Sequence, residues 1–252
     1  MDEITAFSEN FYSTASMLGG NRGGYITVMP SGSLVAMTGL PYAGENYALF
    51  RQGASPCEVA EAIDIFSCRA IPFTVPQFPE IGAELAARFE ANRLFVHKHY
   101  TAMVLGRDDK FDKSTSPNVV KTEGKELERE WAEAAWQGFG GENTDESYCE
   151  FASYLNSRAE NTLFTYREDG RSVACGLLHT SQKACGLYYF ATVPAYRRRG
   201  IAAKLLAALA KEAFEKRELF VLLATEEGLP VYTKFGFRPL FGVPIRSSVR
   251  EI

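Results

Sequence analysis

The chain has 252 residues, 46% of them hydrophobic and 23% charged, and its 31 acidic against 27 basic side chains give a formal net charge of −4. That length supports one large domain or two of ordinary size with buried cores, and the acidic balance excludes a general nucleic-acid binder, so any basic site must be local. No run approaches the roughly 18 apolar residues of a membrane span, and Met1-Asp2-Glu3 lacks the basic start of a signal peptide, so a cytoplasmic location without a membrane partner is expected.

Ile4, Phe7, Phe11, Tyr12 and Met17 recur at helical spacing before Gly19-Gly20 and predict a first helix over 1–18. Two β-like runs follow at 33–39 and 47–50, with a turn-rich stretch at 41–46 between them. Ser55-Pro56-Cys57-Glu58 is a capping box with proline at the first helical position, opening a helix to about Cys68. A strand at 70–75, an alanine-rich helix at 80–91 and a long strand at 93–105 complete a β-β-α-β-α-β order, and the polar, breaker-rich 106–124 reads as a linker or exposed loop.

Beyond it, 125–137 is a helix with Trp131 and Trp136, ended by Gly138-Phe139-Gly140-Gly141, and 148–159 a second helix. Segments 161–166 and 172–179 flank Asp169-Gly170, a strong hairpin signal. A strand at 184–193 leads to a long helix from 196 or 197 to 217, then to a buried strand at 219–223, a short helix at 230–234 and a final segment at 236–243. Both halves run hairpin, helix, strand, helix, strand, a pattern that suggests internal duplication without any repeat in the letters.

The most informative stretch is 190–205, where an apolar strand meets Arg197-Arg198-Arg199-Gly200 and a helix follows. The first turn of a helix carries free N–H groups and the positive end of its dipole, and small residues such as Gly200 and Ala202 let a ligand reach the backbone, so a phosphate site is expected here. Ile201, Leu205, Leu206, Leu209 and Ala213 share the helix's apolar face. The loop is neither a Walker P-loop nor a dinucleotide G-x-G-x-x-G.

Arg197-Arg198-Arg199-Gly200-Ile201-Ala202 resembles the Arg/Gln-x-x-Gly-x-Gly/Ala signature of the GNAT superfamily of acyl-CoA-dependent N-acyltransferases. Thr192-Val193-Pro194, the apolar 219–223 and Val231-Tyr232-Thr233-Lys234-Phe235-Gly236-Phe237 are similar to that family's successive segments in the expected order, so the resemblance covers 123–252. It implies an α/β (α+β) fold with a mixed, mostly antiparallel sheet flanked by helices. The first half has Gln52-Gly53-Ala54-Ser55-Pro56 at the equivalent junction, so two tandem GNAT-like lobes are expected: a degenerate one at 1–120, linker included, that does not hold CoA in the usual way, and an acetyltransferase domain at 121–252.

The resemblance further implies that the pyrophosphate of acetyl-CoA rests on the backbone of 198–203, with Arg197, Arg198, Arg199, Gly200, Ile201, Ala202 and Ala203 as its contacts. Its pantetheine arm would pair with Ala191, Thr192 and Val193. Tyr232 matches the family tyrosine that serves the CoA sulfur as general acid, against the bland alternative of a core ring beside Phe235 and Phe237. No metal is implied.

The general base stays open, because Cys185-Gly186-Leu187-Tyr188-Tyr189-Phe190 contains no carboxylate. Candidates are ordered water, His179, Glu226, Glu227 and Glu142, and Tyr188 with Glu226 are the candidate acceptor contacts. Loop 139–146 is a candidate for acceptor specificity. His97 and His99 share a strand face without a third ligand, and the five scattered cysteines, Cys57, Cys68, Cys149, Cys175 and Cys185, lack a Cys-x-x-Cys pair and read as ordinary thiols.

The function expected is acetyl transfer from acetyl-CoA to a primary amine, with a small-molecule amine as the partner and neither nucleic acid nor membrane. The alternatives are a non-catalytic acyl-CoA-binding module and a protein N-terminal or lysine acetyltransferase.

Overall fold

The computed structural model describes residues 2–142 and 145–248. They fall into two compact units: residues up to Asn10 together with Ala102–Leu240, and Phe11–Thr101 together with the residues from Phe241 on.

Helix α1 (Glu3–Leu18) contributes its start to the first unit. The strands of that unit are the end of β5 (Phe95–Gly106), β6 (Val119–Lys121), β7 (Asn161–Glu168), β8 (Arg171–Thr180), β9 (Cys185–Thr192), β10 (Leu219–Ala224) and the start of β11 (Arg238–Ser247). They lie in the order β11–β5–β10–β9–β8–β7–β6. Pairing is antiparallel at β6–β7, β7–β8 and β8–β9 and parallel at β9–β10.

Four helices belong to the unit: α4 (Lys125–Gly138), α5 (Glu146–Asn156), α6 (Ile201–Lys216) and α7 (Leu229–Phe235). One side of the sheet meets α6, whose Ile201, Leu205, Leu206, Leu209 and Ala213 join Phe164, Leu178, Leu187, Phe220 and Leu222 in one cluster. Trp131 of α4 and Phe151 of α5 are fully buried and meet the Tyr189 ring at 5.8 and 5.9 Å.

In the second unit β1 (Tyr25–Val28), β2 (Leu34–Met37) and β3 (Tyr47–Leu49) form an antiparallel sheet. Helices α2 (Pro56–Ser67) and α3 (Ala83–Ala91) and the short β4 (Val75–Pro76), paired antiparallel to β11, complete it. The capping box forms as its letters require, with Glu58 N–H donating to Ser55 Oγ and Ser55 N–H to Glu58 Oε2. Phe50, Val59, Phe66, Phe73 and Phe89 make the core of this unit.

The compact units do not follow a cut at 120/121. Met103 and Leu105 of β5 sit in the core cluster of the first unit and β6 pairs with β7, so sheet pairing draws the end of β5 and the following segment into that unit. Strands β1 and β6 were not expected. Their four and three residues are half exposed, too short to carry a legible alternation.

Candidate active site

The strand-to-helix junction is built from a bulge, a turn and a helix start. Cys175 pairs with Ala191 and Leu177 with Tyr188, so Tyr189 and Phe190 together oppose Gly176, and Tyr189 takes φ 49°. A bulge of this kind bends its strand and increases the local twist. Pairing of β9 with β10 stops at Leu187, opposite Leu222, and no β10 residue is in register with Phe190 to Thr192. The two parallel strands thus part, leaving one edge of β9 open between them.

Val193 donates its N–H to Val173 O at 3.0 Å, which turns the backbone of Thr192 to the opposite, open edge. There its carbonyl accepts from Arg197 Nε at 3.0 Å, while Arg197 Nη2 donates to Gly138 O at 2.7 Å. Arg197 therefore ties the end of α4 to the end of β9. The approach is close: a Cβ on Gly138 would stand 2.5 Å from Ala191 Cβ.

After a 3-10 turn at Pro194–Tyr196, Arg198 (φ 63°) and Gly200 (φ 76°) both enter the left-handed region. Two such residues break a right-handed helix, so α6 starts at Ile201 rather than at 196 or 197. Gly200 is the N-cap and offers no side-chain oxygen. Among the described residues no backbone carbonyl accepts from the amides of 198–203, and the first bond of the helix is Lys204 N–H to Gly200 O. Six successive unspent donors at a helix start form an anion cradle.

The three arginines differ in employment. Arg199 pairs with Glu168 at 3.0 Å, donates to Ala195 O and lies over the Tyr196 ring. Arg198 is exposed and has no ion pair among the described residues. Arg198 is the guanidinium left available for a ligand.

Tyr232 of α7 is buried, and its ring lies 5.9 Å from Phe190, on the open stretch of β9, and 5.9 Å from Phe237. Its hydroxyl has no hydrogen bond among the described residues. Burial holds the phenol above its ordinary pKa, so it keeps its proton at neutral pH.

The model of the Acetyltransferase (GNAT) family matches residues 128–237, which contain the bulge, the cradle and Tyr232. Residues 128–237 are a GNAT acetyltransferase domain. No curated protein matches the chain by sequence. Solved structures reach further. The GCN5-related N-acetyltransferase from Kribbella flavida is similar at a TM-score of 0.69 and 17% identity, with 96% of this chain and 95% of that one covered. The corresponding protein from Sphaerobacter thermophilus gives 0.61 and 14%, covering 88% and 79%. A GCN5-related N-acetyltransferase-like protein from Streptococcus suis gives 0.54 and 14%, covering 96% and 99%. At these identities the likeness establishes the fold, and it extends to the residues that precede the GNAT domain.

Candidate bases in and around the GNAT domain are dispersed. His179 is 1% exposed at the end of β8. Its Nδ1 lies 2.8 Å from Asn161 Oδ1, and burial depresses its pKa to about 4 despite the opposing pull of Glu160. Glu226, Glu227 and Glu142 are exposed. Loop 139–146, expected to shape acceptor choice, includes Asn143 and Thr144, which lie outside the described residues.

Tyr188 is held by a residue that sequence reading missed. Asn10 of α1, fully buried, accepts from the Tyr188 hydroxyl at 2.8 Å and donates through Nδ2 to His179 O, Ser181 Oγ and Ala184 O. It presses on Gly186, where a Cβ would stand 2.0 Å from Asn10 Oδ1. Nothing in the letters around Asn10 signals this, because its partners lie far along the chain. Tyr189 points to the other face, against Trp131 and Phe151.

Proposed function

We propose that this protein transfers the acetyl group of acetyl-CoA to a primary amine of a small molecule by direct attack while both substrates are bound. The observation that carries the reading is the open edge of β9 running directly into six unspent amides, with the Tyr232 ring packed on Phe190 of the same strand. The fit to acetyl-CoA is one of donors to charge: the amides of 198–203 and the Arg198 guanidinium suit a pyrophosphate, and the Thr192 N–H, which faces away from β8, suits a carbonyl of the pantetheine arm. Arg197 acts as a structural tie, with Gly200, Ile201, Ala202 and Ala203 supplying backbone. Of the strand residues, Val193 and Ala191 spend their backbone on β8, so Thr192 is the contact of choice.

Bound acetyl-CoA supplies an acetyl group activated as a thioester. The residues of the chain do the rest. Backbone N–H groups on the bulged stretch are fixed in place and polarise a carbonyl without reorganisation. Tyr232 carries a proton in an apolar setting and donates it to a leaving thiolate. The amine arrives unprotonated or loses a proton through water or one of the exposed Glu226, Glu227 and Glu142, since the strand has no carboxylate and burial depresses the pKa of His179 to about 4. The excess of acidic over basic side chains suits an acceptor that approaches as a cation.

The test is an acceptor screen with acetyl-CoA that reads released thiol. Amine-dependent release with a small molecule supports the reading. Tight CoA binding without turnover on any amine favours a binding module, and turnover only on peptides favours protein acetylation.

A further inference from the structure

The second unit contains a cleft of about 280 Å³, lined by residues of the β3–α2 turn, of the approach to α3 and of α3 itself. It belongs to a part of the chain outside the GNAT domain. Its apolar wall includes Ala54, Ile81 and Leu85, and its charged members are Arg51, Arg88, Glu80 and Glu84. Gly53 and Gly82 leave space: no atom stands within 4 Å of where a Cβ would be on either.

The charges are unusual in their arrangement. Two cations and two anions border one cleft, yet none of the four takes part in an ion pair among the described residues, whereas Arg107, Arg129, Arg158, Arg167, Arg199 and Arg238 all do. Arg51 is also held in place. Its guanidinium lies 3.6 Å from the centroid of the Tyr12 ring, and the Tyr12 hydroxyl is anchored on Phe50 O at 2.6 Å. Stacking of this kind covers the guanidinium face and leaves its N–H edge to bind. The buried Tyr12 phenol feels Arg51 and Glu80 with opposite sign, so both charges reach the same neighbourhood.

We infer that this cleft is a binding site for a small zwitterion of the free amino-acid type, its carboxylate on Arg51 and Arg88 and its ammonium on Glu80 and Glu84. A ligand with both charges satisfies both pairs at once; a simple anion would lie beside the glutamates, and a simple cation beside the arginines. The cleft's volume admits an amino acid and excludes a whole CoA.

The test is calorimetric titration of the full chain with L-glutamate, L-leucine and L-lysine, and with acetate, methylammonium and orthophosphate as single-charge controls. Arg88→Gln and Glu84→Gln are the variants, since both side chains are exposed and neither takes part in an ion pair among the described residues. At least one amino acid should bind saturably, the controls at least tenfold more weakly, and each variant should weaken binding by about tenfold or more. The inference is overturned if no amino acid binds, if a single-charge control binds as tightly, or if affinity survives both substitutions. Loss of binding in Arg198→Ala with retention in both cleft variants would also overturn it, because the ligand would then occupy the acetyl-transfer centre.

Discussion

Replacing Tyr232 by phenylalanine removes one oxygen from a buried ring packed on Phe190 of β9 and leaves everything else in place. The ring keeps its contacts with Phe190 and Phe237, both at 5.9 Å, so packing is unchanged. No described residue hydrogen-bonds the hydroxyl, so no partner is orphaned, and stability should move by no more than about 0.5 kcal/mol. For a chain of this size that is a shift of at most about 2 °C in Tm. A positioned general acid contributes about 10²–10⁴ in rate, or roughly 3–5 kcal/mol of barrier. The variant should therefore lose that much kcat while its Kd for acetyl-CoA, set by the 198–203 cradle, stays within about twofold of wild type. Because burial raises the phenol's pKa, wild-type kcat should also show no alkaline loss below about pH 10, the ordinary tyrosine value. Steady-state kinetics with thiol detection, calorimetry with acetyl-CoA and a thermal melt provide the measurements. A kcat within about threefold of wild type would refute the acid role, and a melt lowered by many degrees would refute the claim that the hydroxyl is structurally idle.

Other consequences are as direct. Arg198→Ala should weaken acetyl-CoA binding by about tenfold, with a reduced dependence on salt, while Arg199→Ala, already paired with Glu168, should cost less than about threefold; equal losses would contradict the division of labour. Gly186→Ala forces a methyl to within 2.0 Å of Asn10 Oδ1 and should destabilise by about 1–3 kcal/mol, a few degrees in Tm, and an unchanged melt would show that Asn10 yields. His179 sets an acid limit. Above about pH 6.5 it is neutral in both the folded and the unfolded chain; between 6.5 and about 4 only the unfolded chain takes up the proton, so stability should fall by up to about 3 kcal/mol across that window. In His179→Gln, denaturant melts from pH 7 to 4 should lose that part of the slope, and an identical slope would mean that His179 is not the group titrating.

The sequence by itself determined the local parts of this protein. Local signals placed each of the seven α-helices among the described residues, with the start of α3 three residues early, that of α5 two residues late and that of α6 several residues early. Asp169-Gly170 placed the β7–β8 hairpin, and Ser55-Pro56-Cys57-Glu58 gave the capping box, because each depends on residues a few positions apart. The cradle at 198–203 was legible for the same reason: a glycine, a helix start and small side chains lie within six positions.

What only the tertiary structure decided are the relations between distant segments. The three arginines look alike in sequence, and only the proximity of Gly138 and Glu168 makes Arg197 a tie and Arg199 an ion pair, leaving Arg198 available. His179 appeared as a possible base until burial beside Asn161 lowered its basicity. Tyr188 depends on Asn10, from a helix that precedes the GNAT domain by most of the second unit. The parting of β9 from β10 has no local signature at all, since it arises where a bulge in one strand meets the end of pairing with another. Short-range letters fix donors and turns, and long-range packing decides which of them remain free to act.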